Sequence, residues 1–410
     1  MSELYIPSWK KFLLFGLVLT YIIIGLAILY LIDLGILNKL PPSALEKEEN
    51  SLAIINDTNI SIPDFEALKY FINNKLMKEN GHLDLSYPIT GNQEGENNTN
   101  SEAVSYYLLW NAKDRNKHAF DFELDYIEKH MLYPKHKYLM WRLNYVENAV
   151  DDGTNMASDA DLRAIKALLI AEEQWGDKRY TTRINNLAKG LEEIAVTSDK
   201  MLAPYGGVID GNVWKTEEVW LSYTDFEVFR DLAYRRGEPW RGVYKNMKEA
   251  VLSAQLPSGL YVTKLDAKRN YHNLDGDEYG INSLWVLVRS AESKDRELQD
   301  SARKGLEIYK KSYAQNGMLY NSYDEVGNPI NKGDSAWIYA LVGRAAIALN
   351  EKEFADEMMI KLREKQILDE RSDIYGGFIE INDKGEFVSQ FTLQEAILTV
   401  QDYKESLGKG

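Results

Sequence analysis

Ala157-Ser158-Asp159-Ala160-Asp161-Leu162-Arg163-Ala164-Ile165-Lys166-Ala167-Leu168-Leu169-Ile170-Ala171-Glu172-Glu173-Gln174-Trp175 opens on two aspartates and then runs mainly through small and apolar side chains. Ala164, Leu168, Ala171 and Trp175 return at three- and four-residue steps, which puts them on one face of an α-helix. Asp159 and Asp161 stand where that helix begins. One carboxylate there can cap the free backbone N–H groups, leaving the other to point elsewhere. As a bare pattern, two aspartates at i and i+2 are more often caps than catalysts.

The same periodicity recurs along the chain and predicts helices over 63–79, 102–113, 118–132, 159–175, 179–195, 217–235, 238–255, 279–293, 295–314, 334–349, 351–365 and 391–405. Ser158 and Ser101 stand as caps for two of them. Between some helices lie Gly/Tyr segments, Pro204-Tyr205-Gly206-Gly207-Val208 and Ile374-Tyr375-Gly376-Gly377-Phe378. The second leads through Asn382-Asp383-Lys384-Gly385 into Glu386-Phe387-Val388, the pattern of a small hairpin. A dozen helices without βαβ alternation predict an all-α domain, and six inner with six outer helices closing into an (α/α)6 barrel is the natural arrangement. A solenoid would show a fixed repeat, and none is found.

Ahead of this body, Phe12 to Ile32 is an uncharged apolar run of 21 residues, preceded by Lys10-Lys11 and followed by Asp33. That is long enough to cross a bilayer, and the basic flank puts the N-terminus inside. No small-x-small cleavage site follows the run, which favours an uncleaved anchor over a signal peptide. The expected organisation is a cytoplasmic tail (1–11), a single-pass anchor (12–32), an extracytoplasmic spacer (33–62) and a barrel domain (63–410) outside the cytoplasm at the cell membrane.

Net charge is −15, from 63 acidic and 48 basic residues, which disfavours nucleic acid as a partner. Cysteine is absent, which excludes disulfides and thiolate metal sites. His82, His118, His130, His136 and His272 form neither HExxH nor His-x-His, so no metal site is expected. No P-loop, G-x-S-x-G or G-x-G-x-x-G is present, and no cofactor is expected. Carboxylates and aromatics remain. Tyr205, Tyr261, Tyr320, Tyr323 and Tyr375 fall in loops, where rings either pack or form platforms for sugars.

A second segment, Asn100-Ser101-Glu102-Ala103-Val104-Ser105-Tyr106-Tyr107-Leu108-Leu109, sets a glutamate in the first turn of an apolar helix. Poor solvation there would raise its pKa toward that of a general acid. The helix macrodipole would lower it, and position alone favours the latter.

Together the two segments resemble glycoside hydrolase family 8, whose members include bacterial cellulases, chitosanases and xylanases. The fit runs through Ala157 to Asp161 and the tail Ala167-Leu168-Leu169-x-Ala171-x-x-x-Trp175. It departs at Ala164-Ile165, and at Ala103 and Tyr107 where the family tends to have glycine. Phe120-Asp121, Trp141-Arg142, Ser222-Tyr223 with Phe226 and Phe229, and Pro239-Trp240 add to the resemblance, which spans about 85–350.

The resemblance implies an (α/α)6 fold and an inverting glycosidase, endo-acting on a β-linked polysaccharide. Glu102 would be the general acid. Asp161, or else Asp159, would hold the distorted sugar, with Asp161 preferred because Asp159 is better placed to serve the helix start. An inverting mechanism also needs a general base. The family's Tyr-Asp-Ala-x-Arg segment corresponds here to Tyr279-Gly280-Ile281-Asn282-Ser283, without the aspartate or the arginine, so Asp277 and Glu278 are the substitutes. Tyr106, Tyr205, Tyr223, Tyr279 and Trp285 are the expected substrate-binding residues. The tether suggests polysaccharide synthase machinery as a neighbour. The irregular base segment keeps open a catalytically silent polysaccharide-binding or assembly factor on the same fold.

Overall fold

In the computed structural model the body begins at Ile60, and residues 60–408 are described apart from 92–96, 145–148, 151–153, 275, 277 and 331–332. The apolar run 12–32 and the spacer lie outside the described residues. Among the described residues, no helix is long and apolar enough to cross a membrane.

Twelve α-helices are described. They are α1 (Phe65–Phe71, continued by a π-turn at Ile72–Leu76), α2 (Ser101–Lys113), α3 (Lys117–His130), α4 (Ser158–Trp175), α5 (Lys178–Ile194), α6 (Phe226–Arg236), α7 (Trp240–Ser253), α8 (Ile281–Glu292), α9 (Arg296–Asn316), α10 (Ala336–Ala348), α11 (Lys352–Lys365) and α12 (Gln390–Leu407). Two kinds alternate. In α2 every residue from Ala103 to Ala112 is buried, and α10 is nearly as enclosed. By contrast α5 buries a single stripe, Tyr180, Ile184, Leu187, Ala188, Leu191 and Ile194, as a helix with one wet face must. The even-numbered helices pack in a ring, α2 on α4, α4 on α6, α6 on α8, α8 on α10, α10 on α12 and α12 back on α2. Odd-numbered helices pack outside them. This closed alternation is consistent with the expected (α/α)6 barrel.

Eleven of the twelve helical windows coincide with helices to within a few residues. The window 217–235 does not: Val219–Trp220 is a strand, Leu221–Tyr223 a 3₁₀ turn, and α6 starts only at Phe226. The helix is delayed because Asp225 caps it, accepting from the Val228 N–H at 3.1 Å. The caps expected at Ser101 and Ser158 also move. Both serines are the first residues of their helices; Asn100 caps α2, and Ala157, with no side-chain cap, precedes α4. α4 stops at Gly176, whose φ of +64° is the left-handed conformation that costs glycine least.

The turns from inner to outer helices are two or three residues long, such as Gly176-Asp177. The connections from outer to inner helices are long, and they carry the four three-stranded sheets. The hairpin expected near 380–388 is one of them, pairing Glu380–Asn382 with Gly385–Ser389. All the long loops therefore gather at the end where the inner helices begin. That end is where a site can be built.

The barrel axis is charged. Arg344 of α10 donates to Glu292 of α8 at 2.9 Å and to Glu395 of α12 at 2.7 Å. Lys166 of α4 lies 3.3 Å from Asp225, and Arg289 of α8 lies 3.4 Å from Glu292. A buried ion pair is tolerable only with its partners present, so this column constrains how the inner helices pack.

One buried carboxyl has no such partner. Glu123 of α3 is fully buried, and neither of its oxygens has a hydrogen-bond partner among the described residues. Burial pushes its carboxyl well above the usual range. The neutral form is thus favoured in the folded state, so its contribution is intact below the unfolded pKa and is lost as pH rises toward the folded one. Glu123→Met, similar in volume and without the polar group, is expected to stabilise the fold by about 1–3 kcal/mol near pH 7.5. It should also flatten the decline of stability with pH, as read from urea midpoints across pH 4–8.

Candidate active site

The start of α2 is fixed by a short sheet. Asn98–Asn100 pairs antiparallel with Arg142–Asn144, setting Asn100 opposite Arg142, and the Ser101 N–H donates to the Trp141 carbonyl at 2.7 Å. Asn100 spends its side-chain oxygen on the Ala103 N–H at 2.8 Å. The capping position is therefore filled, and Glu102 is left free of it. Its Oε2 accepts from Trp141 Nε1 at 2.9 Å and from Asn100 Nδ2 at 3.2 Å, while Tyr223 Oη reaches Oε1 at 3.4 Å.

Burial, and then the negative charge of Asp159, push the Glu102 carboxyl up to about 7, against the Trp141 and Tyr223 hydrogen bonds and the Arg163 charge. The macrodipole does not prevail. A carboxylic acid that keeps its proton near neutrality can deliver it to a leaving oxygen. Because the Trp141 N–H favours the ionised form, Trp141→Phe is expected to raise the Glu102 pKa. The alkaline limb of a pH–kcat/KM profile should then move to higher pH.

The start of α4 is placed by a second sheet, in which Ala157 pairs with Tyr205 and the Ser158 N–H donates to the Pro204 carbonyl. The two aspartates then separate. Asp161 is completely buried; its Oδ1 accepts from the Leu139 N–H at 3.1 Å, and burial drives its pKa well above the usual range. It ties the loop before α4 to the helix. Ser283 does the same for α8, accepting from the Tyr261 N–H at 3.0 Å. Asp159 is partly exposed and bridges to Arg163 Nη2 at 2.8 Å, and its charge is felt at Glu102. The carboxylate beside Glu102 is thus Asp159, not the preferred Asp161, and among the described residues it caps no helix N–H.

The expected aromatics divide in the same way. Tyr205 and Tyr223 are partly exposed and belong to a row leading from Glu102. Trp220 lies 5.1 Å from Tyr223 and 5.8 Å from Tyr205, ring centre to ring centre, and Trp214 lies 6.2 Å beyond Tyr205. Tyr106 and Trp285 do not offer faces to a sugar. Both are buried, with the Arg163 guanidinium 3.8 Å over Tyr106 and that of Arg289 4.6 Å over Trp285. Tyr261 and Tyr323 are likewise core residues, whereas Tyr320 and Tyr375 are partly exposed. Tyr279 is partly buried, with a φ of +42°. Glu278 is exposed, and Asp277 lies outside the described residues.

Asn100, Trp141 and Arg163 were not expected to meet at this site. Arg163 was legible: four residues after Asp159, it shares that helix face. The Trp141 contact depends on strand pairing across the chain and has no local signal.

No curated protein sequence matches the chain. Residues 65–264 match the family described as glycosyl hydrolases family 8. Among solved structures, the chain is similar to an α-amylase from Clostridium perfringens, with 22% identity and a TM-score of 0.72 over 83% of this chain and 97% of that one. It is similar to endoglucanase Cel10 of Klebsiella pneumoniae, a family 8 glycosyl hydrolase, with 16% identity and a TM-score of 0.59 over 82% and 99%. It is also similar to PssZ from Listeria monocytogenes, with 13% identity and a TM-score of 0.62 over 84% and 97%. At these identities the likeness is one of fold. The family match spans Glu102, Trp141, Asp159 and Tyr223 and stops before Asp277. The chain thus carries a family 8 glycosyl hydrolase domain and is a glycosidase, of a family whose members invert the anomeric centre.

Proposed function

We propose that the chain cleaves a β-linked glucan-type polysaccharide internally, with Glu102 as general acid and Asp159 holding the sugar at the scissile bond. The observation that carries this is Glu102 itself. It is a carboxyl freed from capping, served by Trp141, Asn100 and Tyr223, and poised to hold its proton near pH 7. Asp159 stands partly exposed beside Glu102 and is held by Arg163, which suits a carboxylate that positions a sugar. The row Tyr223, Trp220, Tyr205, Trp214 supplies ring faces of the kind sugars stack on. Inversion calls for a base about 6.5–9.5 Å from the acid, and Asp277 is our candidate. We place the domain outside the cytoplasm on the 12–32 anchor, beside polysaccharide synthase machinery, on the strength of the apolar run and its basic flank.

The test is reducing-end release from β-1,4-glucan, mixed-linkage β-glucan, xylan and chitosan, with α-1,4-glucan included because one structural neighbour is an α-amylase. Proton NMR of the first products would report the anomer. New reducing ends from a β-linked polymer, appearing with inverted configuration, are expected. Cleavage of α-1,4-glucan alone would overturn the substrate class. Binding without cleavage of any polymer would leave the silent polysaccharide-binding factor, a reading favoured by Gly280 following Tyr279 in the base segment.

A further inference from the structure

Arg163 stands one turn below Asp159 on α4 and is held on three sides. Nη2 donates to Asp159 Oδ2 at 2.8 Å, and Nη1 donates to the Ser105 hydroxyl at 3.1 Å. The guanidinium lies flat on the Tyr106 ring, 3.8 Å from its centre. Only 4% of the residue is exposed. The charged and titratable groups around this cluster come from every side. Glu102 and Tyr106 belong to α2, and Tyr223 to the 3₁₀ turn before α6. Arg289 of α8 and Glu395 of α12 act on it through Tyr106.

A guanidinium stays charged at any working pH and presents its donors as a rigid fork. Fixed in this way, it can serve two ends. It holds the Asp159 carboxylate in one place on α4, and its charge reaches the neighbouring Glu102 directly. We propose that Arg163 is a positioning residue of this site, acting through Asp159 to set where that carboxylate points. The proposal rests on the roles given above to Glu102 and Asp159.

Loss of Arg163 withdraws a cation from beside Glu102, whose carboxyl then holds its proton more strongly. In Arg163→Met, the Glu102 midpoint should rise by about one unit. It is followed by carboxyl ¹³C NMR on glutamate-labelled protein, the Glu102 resonance being identified by its loss in Glu102→Gln. At the pH optimum kcat should fall about tenfold while KM changes less. Arg163→Lys restores the charge without the fork, so it should return the midpoint toward wild type and leave kcat low.

A folded Arg163→Met protein, with wild-type circular dichroism and an unmoved Glu102 midpoint, would overturn the proposal. If that variant does not fold, Arg163→Lys decides alone: wild-type kcat there overturns it, and reduced kcat with a wild-type midpoint supports it. The NMR titration needs no substrate. A shifted midpoint in a protein that cleaves no polymer would uphold the positioning role and sink the glycan-cleaving one.

Discussion

Glu102→Gln is expected to lower kcat on a cleaved polymer by about 10³-fold, within the range that a positioned general acid contributes. KM should stay within a few-fold, because the amide keeps the shape of the carboxyl and can still accept from Trp141 Nε1. The informative comparison is with a substrate whose leaving group needs no proton. An aryl glycoside with a low-pKa phenol should recover much of the lost rate if Glu102 delivers the proton. Equal losses on polymer and activated substrate would refute that role. The pH profile adds a second check: Glu102 must be protonated to act, so wild-type activity should decline as pH rises through about 7.

Asp159→Asn is expected to cost about 10²-fold in kcat, the order lost when a sugar is misplaced at the reacting centre. It should also do something that Asp161→Asn cannot. Removing the Asp159 charge relieves the repulsion that helps keep Glu102 protonated, so the Glu102 pKa falls and the alkaline limb moves to lower pH. Trp141→Phe shifts the same limb the other way. Asp161 is tied to the Leu139 N–H, and its loss should appear as lowered stability with the limb in place. Opposite displacements in Asp159→Asn and Trp141→Phe would identify the limb as Glu102; parallel displacements would assign it to another group.

The inner helices were legible because helical spacing survives in α4, which keeps Glu173 and Gln174 exposed, and even in the nearly enclosed α10. The exception is instructive. Trp220 and Tyr223 fall at a helix-like interval of three, yet both belong to the aromatic row leading from Glu102, and only the Asp225 cap marks the true start of α6. The Asp159/Asp161 pair could be recognised as a pair. Which member stands beside Glu102 follows from a backbone N–H at Leu139 that takes Asp161, and no pattern within the helix contains that information. The search for a repeat failed for a similar reason. After five outer helices the chain closes a small bridge, at Met77–Leu83, Leu132–Leu139, Val196–Leu202, Gln255–Tyr261 and Tyr323–Pro329, but the intervals between them are unequal, so no fixed period survives. The anchor was read from its own residues, and its support is still confined to them.

The ring closes where its last helix meets its first inner one. Trp110 Nε1 donates to Gln394, and Gln401 donates to the Trp110 carbonyl, both across nearly 300 residues of sequence. Lys113 pairs with Asp402 at the far end of the same seam. Each earlier inner helix finds its neighbour two helices back along the chain, a separation that costs little loop entropy. Gln390–Leu407 alone must find a partner made at the beginning. During synthesis the apolar flank of α2 that α12 covers therefore stays open until Gln390–Leu407 has been made. The window for misassembly is set by that one late joint.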